Sequence, residues 1–152
     1  MIKKNREQRT LKIESLEGRQ FMAADVIASL NAGTLYVEGT NGADSIRVED
    51  TPRGIMVSKN GNNYTPVAGP FARDAVRSVR VALLDGNDVF RAYLPNSNLA
   101  AVDVLFGRGS NEIVELTNIR ANSVSADARD SVSSTLKVVN STISGRLFAD
   151  FG

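Results

Sequence analysis

Three glycine-bearing stretches share one layout, and that layout restricts the fold more than any other feature of the chain. Gly39 to Arg47 reads GTNGADSIR, Leu83 to Arg91 reads LLDGNDVFR, and Phe106 to Val114 reads FGRGSNEIV. Aligned without gaps, Gly42, Gly86 and Gly109 coincide. Two residues later stand Asp44, Asp88 and Asn111, and two after those Ile46, Phe90 and Ile113. The steps between the glycines are 44 and 23 residues, matching two repeats and one repeat of about 22, a period of stacked solenoid coils. An intervening copy is expected near KNGNNYT, with Gly61 and Tyr64 in the equivalent places.

Between these turns the hydrophobic period is two. Leu35 and Val37, Ile46 and Val48, Val79 and Val81, and Val102 and Val104 alternate with polar or small residues, the signature of short half-buried strands. Clusters of Gly, Asn, Asp and Pro punctuate them, and Pro52, Pro66, Pro70 and Pro95 are all expected in the gaps. NSVSADA, STLKVVNSTISG and RLFADFG continue the strand pattern after the glycine turns lapse. The fold expected is all-β, a parallel β-solenoid of right-handed coils. An antiparallel β-sandwich is the alternative, since it also gives short strands at close spacing. TPRG, between Asp50 and Ile55, is suited to closing a local hairpin. Residues 1–30 differ in composition, rich in helix formers and free of proline, with Leu11, Leu16, Met22, Val26 and Leu30 in a partial helical stripe. They are read as a short helical or disordered segment for targeting or capping, and residues 31–152 as the solenoid domain.

Composition removes most chemistry. The 152 residues include no cysteine and no histidine, so thiolate nucleophiles, sulfur-bound zinc and the commonest general base are excluded. A metal site would have to be built from oxygens, which favours calcium or magnesium. The net charge of +1 gives no reason to expect nucleic acid as a partner. No window approaches the uninterrupted apolar run of a membrane-spanning helix, so no transmembrane segment is expected.

The aligned turns resemble the nonapeptide repeat of hemolysin-type (RTX) calcium-binding proteins, GGxGxDxUx, where U is a large apolar residue. Gly39, Gly42, Asp44 and Ile46 match in the first copy, Gly86, Asp88 and Phe90 in the second, and Gly107, Gly109 and Ile113 in the third. The resemblance implies sharp glycine bends in a solenoid, with aspartates near calcium between stacked turns. Asp85, Asp88, Asp44 and Asn111 are the candidate metal residues on that basis. Leu83 and Leu84 occupy two of the glycine positions, Asn111 replaces an aspartate, and the copies are not tandem. The turns are therefore read first as corners held by Asx hydrogen bonds and salt bridges, with no resident cofactor and calcium as the alternative. Gly39, Gly42, Gly86, Gly107 and Gly109 are structural on either reading, supplying φ > 0.

LEGRQFMAA, from Leu16 to Ala24, is similar to the LEPR-XLL motif near the N-terminus of many bacterial, often repeat-rich proteins. Leu16, Glu17 and Arg19 match it, Phe21 and Met22 stand for its two leucines, and Gly18 stands where it has proline. That resemblance implies an extracytoplasmic protein, secreted or held at the cell surface.

The function expected is a non-catalytic structural or adhesion-type module whose partner is a surface glycan or a protein. A calcium-binding protein of the hemolysin type is one alternative. The other is an enzyme like the β-helical polysaccharide lyases, with Asp85, Asp88, Arg80 and Arg91 as its set. RLFADFG brings Leu147, Phe148 and Phe151 to the C-terminal coil. There they either fold back as a plug or leave a coil end for self-association.

Overall fold

The computed structural model describes residues 25–59 and 65–151. The chain begins with a hairpin, β1 (Ile27–Asn31) and β2 (Thr34–Glu38). From β2 it turns a corner into β3 (Ser45–Thr51), then makes an excursion through β4 (Gly54–Lys59) and β5 (Thr65–Phe71). After a 3₁₀ turn at Arg73–Ala75 the coils resume with β6 (Ser78–Ala82) and β7 (Val89–Tyr93). β8 (Asn98–Leu105) and β9 (Glu112–Thr117) follow, then β10 (Arg120–Ala128), β11 (Ser134–Val139) and β12 (Thr142–Phe151).

The strands fall into two sheets, A in the order β1-β2-β6-β8-β10-β12 and B in the order β11-β9-β7-β3-β4-β5. From β2 to β12 in sheet A, and from β3 to β11 in sheet B, every neighbouring pair is parallel. The protein is a β-solenoid of about three turns, and the parallel ladders rule out the antiparallel sandwich.

Parallel register lines up identical faces, which explains how strands of five to ten residues build a core. In sheet A, Leu35, Val79, Val102, Val124 and Leu147 form one inward row. In sheet B, Ile46, Phe90, Val114 and Leu136 form another. The two sets of rows meet in a single hydrophobic core. Full burial of side chains such as Leu35, Ile46 and Phe90 contributes about 1.5–3 kcal/mol each.

The 44-residue step is not two coils. β3 lies directly against β7, with Ser45 opposite Val89 and Ile46 opposite Phe90. The extra residues form the antiparallel meander β3–β4–β5, turned at Thr51–Gly54 by the TPRG hairpin. Gly61 and Tyr64, expected in an intervening corner, lie outside the described residues. β4 and β5 extend sheet B beyond the first coil and bring Ile55 and Val57 to full burial. Arg73 fastens the return, bonding the Asp50 carboxylate and the Thr51 carbonyl, while Asn96 donates to the other Asp50 oxygen at 2.8 Å. Pro66 and Pro70 fall within β5 rather than in a gap. β5 is the edge strand of sheet B, where a missing N–H is tolerated.

The boundary at residue 30 is also overridden. Val26 is buried in the core, and Leu30 sits in β1, not in a helix. Ala32 and Gly33, at φ 47° and 83°, close a tight two-residue turn that zips β1 onto β2, so tertiary pairing outweighs the weak helical stripe. The targeting motif Leu16, Glu17, Arg19, Phe21 and Met22 lies outside the described residues.

Candidate functional site

The acids of the aligned turns meet at one edge of the solenoid, where each coil passes from sheet A to sheet B. Each acid immediately precedes or begins a sheet-B strand, two residues before a core residue: Asp44 before Ile46, Asp88 before Phe90, and Glu112 before Val114. That spacing turns the carboxyl inward, because alternate residues share a face. All three acids are buried, Asp88 and Glu112 completely.

Glu112, not Asn111, is the counterpart of Asp88. β7 and β9 pair with Val89 opposite Ile113 and Phe90 opposite Val114, one residue beyond the ungapped alignment. Asn111 is exposed, and Ile113 faces outward while Val114 fills the core. The third corner therefore holds one extra residue. The glycines still stack, since a Cβ at Gly109 would collide with both the Gly86 carbonyl oxygen and Glu112 Oε1.

The acids form a ladder of struts. The Asp44 amide donates to Asp88 Oδ1 at 2.8 Å, and the Asp88 amide donates to Glu112 Oε2 at 2.9 Å. Asp44 Oδ2 accepts from the Thr40 amide at 2.6 Å and from Thr40 Oγ1 at 3.0 Å. On the outside of the same corner, Asp85 Oδ1 accepts the Arg108 amide and Asn87 Oδ1 accepts the Ser110 amide, both at 2.8 Å. Asp85 thus meets Arg108 through its backbone amide. Asp44 lies one rung from Asp88, not two coils away.

The cost of this burial falls on the carboxyls. Burial pushes Asp88 up to about 7, opposed by its bond to the Asp44 amide and reinforced by the charges of Glu112, Asp44 and Asp85. Burial raises Glu112 as well, against the Asp88 amide. Asp88 Oδ2 and Glu112 Oε1 have no hydrogen-bond partner among the described residues. A proton on either acid relieves the charge that the core cannot solvate.

Calcium takes six to eight oxygens, and the donor set does not converge that way. One oxygen each of Asp88, Glu112 and Asp85, and Oδ2 of Asp44, accept amides; Asn111 faces solvent. Among the described residues no group of three or more acids is arranged to hold a metal ion. Nor are the lyase-like residues assembled. Arg80 lies on the outer face of sheet A, Arg91 on the outer face of sheet B, and Asp88 inside.

Of the five corner glycines only Gly86 has positive φ, at 148°. A Cβ there would also fall 2.5 Å from the Gly42 carbonyl oxygen. Close stacking, rather than left-handed backbone, is what Gly109 supplies. At Gly42 a Cβ would touch only Thr40 Oγ1, at 3.6 Å, so that position does not require glycine.

Outside the corner, both sheets present flat polar rungs. On sheet B, Arg47, Arg91, Glu115 and Lys137 stand in register, with Arg91 Nε donating to Glu115 Oε2 at 2.6 Å and Lys137 Nζ 3.8 Å from Glu115 Oε1. On sheet A, Tyr36, Arg80, Asp103 and Ser125 align, Ser125 Oγ donating to Asp103 Oδ1 at 2.7 Å. A shallow groove of ≈ 430 Å³ runs beside that rung, lined by Arg80, Ala82, Asp103, Leu105, Ser125 and Asp127. The sequence reading missed Glu112 and these rungs; a one-residue gap opened before Asp44 and Asp88 would have found the first. No helix among the described residues is long and apolar enough to cross a membrane. Comparison with models of known families, with characterised proteins and with solved structures gives no significant match.

Proposed function

We propose that the chain is a non-catalytic, extracytoplasmic structural or adhesion-type module. In it the corner acids are struts between coils, and the outer sheet faces meet a surface glycan or protein. The observation that carries this reading is the division of polar groups between inside and outside. Inside, Asp44, Asp88 and Glu112 are committed to amides within the corner. Outside, registered rungs of charge and hydroxyl run across several coils beside an exposed tyrosine, Tyr36. Such a surface offers a saccharide repeated hydrogen bonds and one aromatic face. The extracytoplasmic assignment draws on the LEPR-XLL-like motif alone.

Binding of the 152-residue protein to an array of polysaccharides tests the adhesive role. Saturable binding that falls at least several-fold in Arg80→Ala or Asp103→Ala is expected. Loss of an acidic polysaccharide to unsaturated products would overturn the non-catalytic part. A fusion of residues 1–30 to a reporter should place the reporter outside the cytoplasm; a wholly cytoplasmic reporter removes that assignment.

A second reading, calcium binding at the corner, draws on the two unpartnered oxygens of Asp88 and Glu112. Calorimetric titration separates it from the first. The strut reading expects no saturable heat and an unchanged melting temperature with calcium. Saturable binding abolished by Asp88→Ala would establish the second.

A further inference from the structure

The two ends of the solenoid are finished differently. At the N-terminal end, β1 covers the edge of β2, the β4–β5 meander covers β3, and β1 and β5 touch. At the other end β12 and β11 are the last strands of their sheets. The inward rows that are closed at Val114, Leu116, Val124 and Ala126 open one coil later. Leu136, Val138 and Ile143 are only partly buried, and Leu147 and Phe151 are 53% and 38% exposed although they face the core side.

β12 is ten residues long, and its outer edge pairs with no described strand. A strand of this length with an edge that no described strand covers is a template for another strand. Its sequence selects the partner. In Arg146-Leu147-Phe148-Ala149-Asp150, Phe148 is flanked two residues away by a cation on one side and an anion on the other, all three on the outer face. When two such strands run antiparallel about Phe148, Arg146 of each faces Asp150 of the other and the two phenylalanines meet. On the core side Leu147 then faces Ala149, and Phe151 covers Gly145. Centring the pair one residue either way loses both ion pairs. Like charges facing each other oppose pairing and opposite charges support it.

We infer that β12 is a homodimerisation edge. Two copies of this chain join sheet A to sheet A across a two-fold axis at Phe148, bringing their open core ends together. The interface is isologous, so it closes at two copies and does not propagate. Within one copy Arg146 already stacks over the Phe148 ring at 4.9 Å, and Asp150 lies 3.7 Å from Arg129. Both side chains are thereby held on the face where a partner strand would meet them.

Sedimentation velocity of the 152-residue protein over a concentration series tests the proposal, with a reversible monomer–dimer equilibrium expected. Arg146→Asp and Asp150→Arg should each weaken the dimer about tenfold or more, by setting like charges opposite each other. The double variant Arg146→Asp/Asp150→Arg should regain most of the affinity. That rescue cannot arise within one copy, because the double variant sets an arginine beside Arg129 and removes the cation from Phe148. A wild-type protein that stays monomeric at every concentration overturns the proposal and leaves the coil end to a different chain. A wild-type dimer with no rescue in the double variant overturns the pairing about Phe148.

Discussion

Asp88 is an acid placed where an acid is expensive, and that makes its proton measurable. Its carboxyl moves from an ordinary 3.8 to about 7, so between those values the folded protein holds a proton that the unfolded chain has released. Stability must then fall as pH rises through this window and level off above it, by at most about 1.4 kcal/mol per pH unit. Glu112, also raised, acts in the same direction. Asp127 is lowered by its bond to Arg129 and works in the opposite sense; its contribution is lost only as pH drops below its usual range. Asp88→Asn keeps the acceptor for the Asp44 amide without the charge. Melting curves should show the variant more stable than wild type at pH 8 and close to it at pH 5. An equal loss at both values would mean that the carboxylate form is the strut. The neighbouring glycines give a paired test. Gly109→Ala drives a methyl into Glu112 Oε1 and the Gly86 carbonyl and should cost about 2–3 kcal/mol or more. Gly42→Ala, with only Thr40 Oγ1 at 3.6 Å, should stay within about 1 kcal/mol of wild type by denaturant melting.

At the scale of elements, the strands were legible, as was the single-coil step from Gly86 to Gly109; the adjacency across the 44-residue step was not. Leu35, Ile46, Val79, Phe90 and Val102 were readable as inward residues because the two-residue period is fixed by the pleat. Whether a strand continues the coil or folds back is decided by what it packs on, and Ile55 and Val57 alternate alike in either case. The 44-residue step therefore read as two coils when it is one coil and an inserted meander. The slip from Asn111 to Glu112 has a similar origin: glycine spacing was matched, while burial of a carboxyl against the next coil was invisible. A second repeat was legible but unread. Asn118 and Asn140, 22 positions apart in sequence, adopt φ 53° and 48° at the corners leading into β10 and β12, a region asparagine tolerates better than most residues. The meander also carries a load of its own. Ile55 is fully buried on β4, so Ile55→Ala should destabilise by about 2–5 kcal/mol. A change under about 1 kcal/mol in a denaturant melt would show that β4 is a dispensable lid.

For the whole molecule, the consequence of stacking is a gradient. Each coil touches mainly its neighbours, so local stability depends on how many sides of a coil are covered. β6, β7, β8 and β9 have strands on both edges and rows such as Val79, Phe90 and Val102 wholly buried. Among the described residues, β11 and β12 have a neighbour on one edge, and their inward residues are partly or largely exposed. Amide hydrogen exchange should be slowest in β6 to β9 and fastest in β11 and β12, with β1 and β2 between, because the antiparallel cap closes that end. The gradient also separates a bare coil end from a paired one. If β12 joins β12 of a second copy, raising the concentration should slow exchange in β12 and leave β6 to β9 unchanged. For Asp150→Arg, exchange in β12 should remain fast over the same range. Exchange that is uniform along the chain at low concentration would contradict the gradient, since it would require an end coil as well covered as the middle ones.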